Sequence, residues 1–202
     1  MPDGWATEAL IHLAQPAADQ GLRYVAAFSA RLAYAFMCLT LCWGVLTATG
    51  WVHHLCGRKA MRSGHIALAT LTLAFGVVHA IGFVFVTAGT FSAARLIIPL
   101  MPGTLARHTM GIVGLELMLA VALTAGLLRW TSYRRWLWLH RLAYPAFALL
   151  VLHSLLGAIA NGRLSVLWLG GITLLVPAVT LAVLRFLPIQ ILERIGLVEE
   201  QV

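Results

Sequence analysis

Five stretches of this chain, at about residues 24–51, 64–88, 108–128, 136–159 and 164–186, run nearly free of charge for the length that a helix needs to cross a bilayer. A hydrocarbon layer of about 30 Å takes roughly 20 helical residues. A lone extended segment in lipid would leave its backbone N–H and C=O groups unpaired, so runs of this kind must be helical. The composition agrees: 61% of the 202 residues are apolar and 10% are charged, more hydrophobic surface than one soluble core encloses. The sequence therefore predicts an all-α membrane protein, a bundle of five transmembrane helices designated A to E.

Residues 1–23 read as an N-terminal surface segment. They carry Asp3, Glu8 and Asp19, are interrupted by Pro16, and lack the basic start and unbroken apolar core of a secretory signal. A short surface helix is expected there, with Trp5, Leu10, Ile11 and Leu13 available to rest on lipid, so helix A should remain uncleaved. Residues 24–186 form the transmembrane domain, and 187–202 a short cytoplasmic tail.

The net charge of +7 would suggest nucleic acid in a soluble protein, but here the basic residues gather at helix ends. Membrane lipid is the expected partner, and nucleic acid is not. The A–B loop holds Arg58, Lys59 and Arg62, the C–D loop Arg129, Arg134 and Arg135, and the C-terminal end Arg185 and Arg194. The opposite side holds Arg23, Arg95, Arg107 and Arg163. This positive-inside bias predicts a multi-pass protein of the cell's inner, cytoplasmic membrane, with the N-terminus outside and the C-terminus in the cytoplasm.

Within the apolar spans lie two matched histidine pairs, His65 with His79 on helix B and His140 with His153 on helix D. The members of each pair stand about 20 Å apart along their helix. Helices B and D are separated by one span and so run in the same direction, which sets His65 level with His140 near the inner face and His79 level with His153 near the outer face. Neutral imidazole is a strong axial ligand for haem iron, and an unligated imidazole in lipid needs some other polar partner. Each cross-helix pair is thus a candidate clamp on one iron, giving two haem b groups whose irons have no open position. The competing reading is four imidazoles that only hydrogen-bond within the bundle.

The spacing of 14 on helix B returns to within about 40° of one face, whereas 13 on helix D misses by about 140°. Helix D is therefore expected to deviate from ideal winding, with Pro145 a cause of bending and His140 in an irregular first turn. Arg62, Arg134, Arg135 and Arg141 are candidates to meet haem propionates at the inner level, and Arg95, Arg107 and Arg163 at the outer; arginines reaching toward headgroups are the simpler reading of any one. Gly64, Gly76 and Gly82 serve either close approach of a flat macrocycle or helix packing.

Glu116 is the only acid inside a predicted span, where an unpaired charge is expensive. It reads either as a protonatable relay or quinone-site group, or as a neutral acid hydrogen-bonded inside the bundle. Trp51, Trp130, Trp136, Trp138 and Trp168 stand near span ends as interfacial anchors. Cys38, Cys42 and Cys56 form no C-x-x-C pair and are read as small hydrophobes. His53 and His54 beside Cys56 make a weak metal motif, and His12 and His108 read as terminal or interfacial polar residues.

The run Arg62-x-x-His65 with His79 fourteen residues on, and the run Arg135-Trp136-x-x-Leu139-His140 followed by Tyr144 and His153, resemble the ferric reductase-like transmembrane domain family. That family includes NADPH oxidases, ferric reductases and the haem-binding membrane subunit of the periplasmic methionine sulfoxide reductase system. The resemblance covers about residues 55–186. It implies two b-type haems on His65, His79, His140 and His153. Two departures accompany it. Members commonly have six spans, where five are read here. Oxidases and ferric reductases continue into a flavin and nicotinamide domain, where this sequence has residues 187–202 and no G-x-G-x-x-G turn.

The function expected is that of a di-haem cytochrome b moving electrons across the membrane as a subunit of an oxidoreductase complex. A cytoplasmic flavoprotein or a quinol would be its donor, and a protein or small molecule on the other face its acceptor. A quinone-reactive cytochrome b, with quinone as a further cofactor, and a non-redox scaffold or assembly subunit of a membrane complex are the alternatives.

Overall fold

The computed structural model describes residues 16–86, 92–126, 132–162, 164 and 170–194. The described residues are helical, with no strand among them. The helices are α1 (Pro16–Thr49), α2 (His53–Gly82), α3 (Ala93–Ile97), α4 (Ala106–Gly126), α5 (Tyr133–His140), α6 (Ala143–Ala160), α7 (Ile172–Phe186) and α8 (Ile189–Arg194). Four segments are long and apolar enough to cross a membrane: Asp19–Thr49, His53–Gly82, Ala106–Gly126 and Tyr133–Ala160. Of the fifth expected span, 164–186, the described helix is α7, 15 residues long with Pro177 inside it; positions 165–169 lie outside the described residues.

Helix ends depart from the hydropathy windows for a physical reason. A window measures what lipid can cover, whereas a helix continues as long as its backbone bonds do. α1 begins at Pro16, eight residues before the window, because proline suits a first helical turn and Asp19 beside it favours the positive end of the macrodipole. Residues 16–23 of the expected surface segment thus belong to the long helix; the rest of it, with Trp5, Leu10, Ile11 and Leu13, lies outside the described residues. Gly50, at φ +76, ends α1 while its N–H reaches the carbonyl of Leu46 at 3.0 Å. Only residues 50–52 separate α1 from α2, so the expected A–B loop is helical and Arg58, Lys59 and Arg62 ride the start of α2. Gly57, at φ 70 and ψ 152, breaks that start from the rest of α2, in a backbone region open essentially to glycine.

The irregularity expected in helix D is a break at Arg141–Leu142, between α5 and α6. Pro145, with no N–H to give, stands in the first turn of α6. The Arg141 carbonyl, four residues before it, takes the Tyr144 N–H instead at 3.1 Å, and the Ala146 N–H returns to Leu142 at 3.1 Å. His140 is therefore the last residue of α5, and His153 lies inside α6.

Tertiary contacts divide the chain into two units, Met1–Ala33 with Leu73–Leu156, and Tyr34–Thr72 with Gly157–Val202. In the first, small residues let helices approach closely: a Cβ on Gly82 would stand 3.1 Å from that of Ala26, which is 1% exposed, and one on Gly114 would lie 2.7 Å from Leu150 Cγ. In the second, Thr40 and Thr72 share a hydroxyl bond of 3.0 Å, and Trp43 Nε1 donates to the Met61 carbonyl at 2.8 Å across a gap opened by Gly64. Large side chains such as Phe28, Ile66, Val78, Leu123 and Leu152 are exposed. Large apolar side chains on the outside, with small residues at these helix crossings, suit helices whose solvent is lipid.

Candidate functional site: a buttressed histidine pair

The His79 and His153 rings meet inside the first unit. Their centroids are 6.1 Å apart and their planes 69° apart. Neither ring is held by the other. His79 Nδ1 lies 2.8 Å from the carbonyl oxygen of Ala26 on α1, and His153 Nδ1 lies 2.7 Å from that of Arg107 on α4. A carbonyl only accepts, so in each ring Nδ1 carries the proton and donates it. Nε2 is then the nitrogen left with a lone pair, the state in which imidazole binds a metal. Four helices build the pair: two supply rings, two supply carbonyls.

Glycine makes room for this. A Cβ on Gly111 would stand 2.7 Å from His153 Nδ1 and 2.8 Å from its Cε1, closer than real carbon atoms come. Gly111 is four residues after Arg107, and in a helix the side chain at i+4 leans back over the carbonyl at i. Removing that side chain gives the ring lateral access to the carbonyl. In the second unit a glycine again makes room for a histidine: a Cβ on Gly44 would stand 2.9 Å from His65 Cε1. For His79 the residue four after Ala26 is Ala30, also small.

The remaining residues take varied places. His140, in the first unit, stacks on Trp136 at 4.9 Å with the planes 22° apart. His65 belongs to the second unit and is described there. Arg62 is exposed on α2. Arg141 is exposed and lies over the Trp138 ring, 5.1 Å from its centroid. Arg107, half-buried, donates from Nε to His108 Nε2 at 3.1 Å, which puts a cation on the same residue whose carbonyl holds His153 and links His108 to the pair. Phe83 meets His79 edge-on at 5.2 Å. Arg129, Arg163, Trp130, Trp168 and His12 lie outside the described residues.

Of the two roles open to Gly64, Gly76 and Gly82, macrocycle approach or helix packing, the contacts are those of packing: each accommodates a side chain of a neighbouring helix, Trp43, Leu115 and Ala26 respectively. The glycines that do serve the histidines, Gly44 and Gly111, carry no local mark beyond their position on a neighbouring helix. Glu116 is exposed on α4 rather than turned into the bundle.

Among the described residues no group of three or more His, Cys, Asp or Glu side chains could hold a metal ion. Two imidazoles are too few for a bare ion, but they are the number an iron needs when a porphyrin fills its other four positions. With metal–nitrogen bonds of about 2.0–2.1 Å, two rings bound through Nε2 on opposite sides of one metal have centres about 6.5 Å apart. The His79–His153 separation fits that requirement.

No protein-family model matches the chain, and no curated protein or solved structure does so either.

Proposed function

We propose that the chain is a b-type cytochrome that passes electrons across a membrane as a subunit of an oxidoreductase. The observation that carries this reading is the His79–His153 pair, two imidazoles on different helices at bis-ligand separation, each with Nδ1 held by a backbone carbonyl. Haem bound there would supply one-electron transfer between ferric and ferrous iron. The protein's part is to present two unprotonated Nε2 atoms, to prevent the rings from turning, and to keep water away with the apolar faces of α2, α4 and α6.

A second haem, on His65 and His140, belongs to the same reading through the matched spacing of the histidines along the sequence. So do a fifth span over 164–186, a cytoplasmic-membrane location with the N-terminus outside, a flavoprotein or quinol as donor, and an acceptor on the opposite face. The test is a reduced-minus-oxidised spectrum of the purified chain with haem quantification. A split low-spin band and two haems per chain support the proposal; a protein without haem after expression in a haem-replete host overturns it.

A further inference from the structure

Arg107 meets the histidine pair with both its main chain and its side chain. Its carbonyl accepts the Nδ1 proton of His153 at 2.7 Å, and its Nε donates to His108 Nε2 at 3.1 Å. An Nε2 that accepts carries a lone pair, so His108 is a neutral imidazole and the charge of the couple sits on the guanidinium. Of the described arginines and Lys59, all but Arg95 and Arg107 are exposed, and Arg107 is the one whose guanidinium makes a hydrogen bond. An arginine that served only the headgroups would extend toward water. This one is tied to the first turn of its own helix.

The carbonyl and the guanidinium belong to one residue, so the cation stands within about 11 Å of the His153 Nδ1. At that range, in a setting partly withdrawn from water, two unit charges still interact by more than thermal energy. Arg107 and His108 both lie within electrostatic reach of the His153 ring. Among the described residues no carboxylate pairs with Arg107, and Glu116, the one acid on α4, stands nine residues on, about 14 Å along the axis. The charge therefore acts on the pair without a counter-ion beside it.

We infer that the Arg107 side chain raises the reduction potential of the haem held by His79 and His153, while its main chain positions His153. Reduction removes one unit of positive charge from the iron, so a fixed cation beside the ligand favours the ferrous state over the ferric. The two roles are separable, because a substitution at this position changes the charge and leaves a carbonyl in place. The inference rests on the b-type cytochrome reading.

Potentiometric titration of the purified full-length chain, followed in the visible spectrum, tests it. Arg107→Gln and Arg107→Met shift the ferrous-to-ferric ratio of one component at least about threefold toward ferric, a fall of about 30 mV at 59 mV per tenfold, with the low-spin band unmoved. Arg107→Glu shifts it about tenfold, and Arg107→Lys keeps the wild-type ratio to within about twofold. His108→Ala, which releases the guanidinium but keeps its charge, shifts it less than Arg107→Gln. Arg58→Gln, an exposed arginine of the second unit, leaves it unchanged. Haem bound at an unaltered potential in R107Q and R107E, or an equal shift in R58Q or R107K, overturns this inference alone. Loss of haem from the neutral variants does so too, because the side chain would then serve binding rather than potential. A wild-type chain without haem overturns the cytochrome reading and this inference with it.

Discussion

His79 and His153 owe their usefulness to atoms that are not theirs. An imidazole in lipid has two tautomers and a free ring rotation, and either would spoil it as a ligand. The carbonyls of Ala26 and Arg107 remove both freedoms by taking the Nδ1 protons at 2.8 and 2.7 Å. Gly111 is the residue that lets the second of these bonds form, so Gly111→Ala is expected to displace the His153 ring. The structure should lose about 1–3 kcal/mol from the overlap, and the spectrum should lose or broaden one haem component. Gly157→Ala, in α6 where a Cβ would meet nothing within 4 Å, is the control. It should leave the spectrum unchanged and raise stability by up to about 1 kcal/mol through helix propensity. Thermal unfolding and the visible spectrum read both variants. The histidines themselves were legible in the sequence, because four imidazoles at spacings of 14 and 13 inside apolar runs are a pattern along one chain. Gly44, Gly111 and the two carbonyls were not, because each acts across a helix contact that only the tertiary structure assigns.

Among the elements, four of the five expected spans correspond to helices long and apolar enough to cross a membrane, with ends that differ from the hydropathy windows to varying degrees. The windows at 108–128 and 136–159 fall within two to three residues of Ala106–Gly126 and of the combined Tyr133–Ala160 segment. α1 and α2, however, extend eight and eleven residues ahead of theirs, carrying Asp19, Arg23, Arg58, Lys59 and Arg62 on helical turns. The same mismatch of 13 residues that signalled trouble in helix D appears as the break after His140, where Pro145 diverts the Arg141 carbonyl to Tyr144. The break at Gly57 had no such signal, since a glycine in a basic stretch reads equally as loop or helix. Its φ of 70 with ψ 152 excludes a side chain without strain. Gly57→Ala should therefore destabilise the protein by about 1–3 kcal/mol, whereas a glycine in regular helix would gain from the same change. Chemical or thermal unfolding in a fixed detergent gives the sign directly.

For the molecule as a whole, the native cysteines test the proposed direction across the membrane, with the basic helix ends in the cytoplasm. Cys56 is exposed beside Arg58 and Lys59 at the basic end of α2, whereas Cys38 is buried and Cys42 half-buried within the α1 span. A membrane-impermeant maleimide should label Cys56 in inside-out vesicles and not in intact cells, and should leave Cys38 and Cys42 unmodified in both; labelling of Cys56 from outside would reverse the topology. The functional account turns on one iron shared by two helices. Reduced-minus-oxidised spectra with haem quantification on His79→Ala and His153→Ala address it most directly. If α2 and α6 clamp a single haem, each substitution removes the same spectral component and the same one of two haems, and the double variant loses no more than either alone. Two different components lost, or full haem content in both variants, would contradict the account.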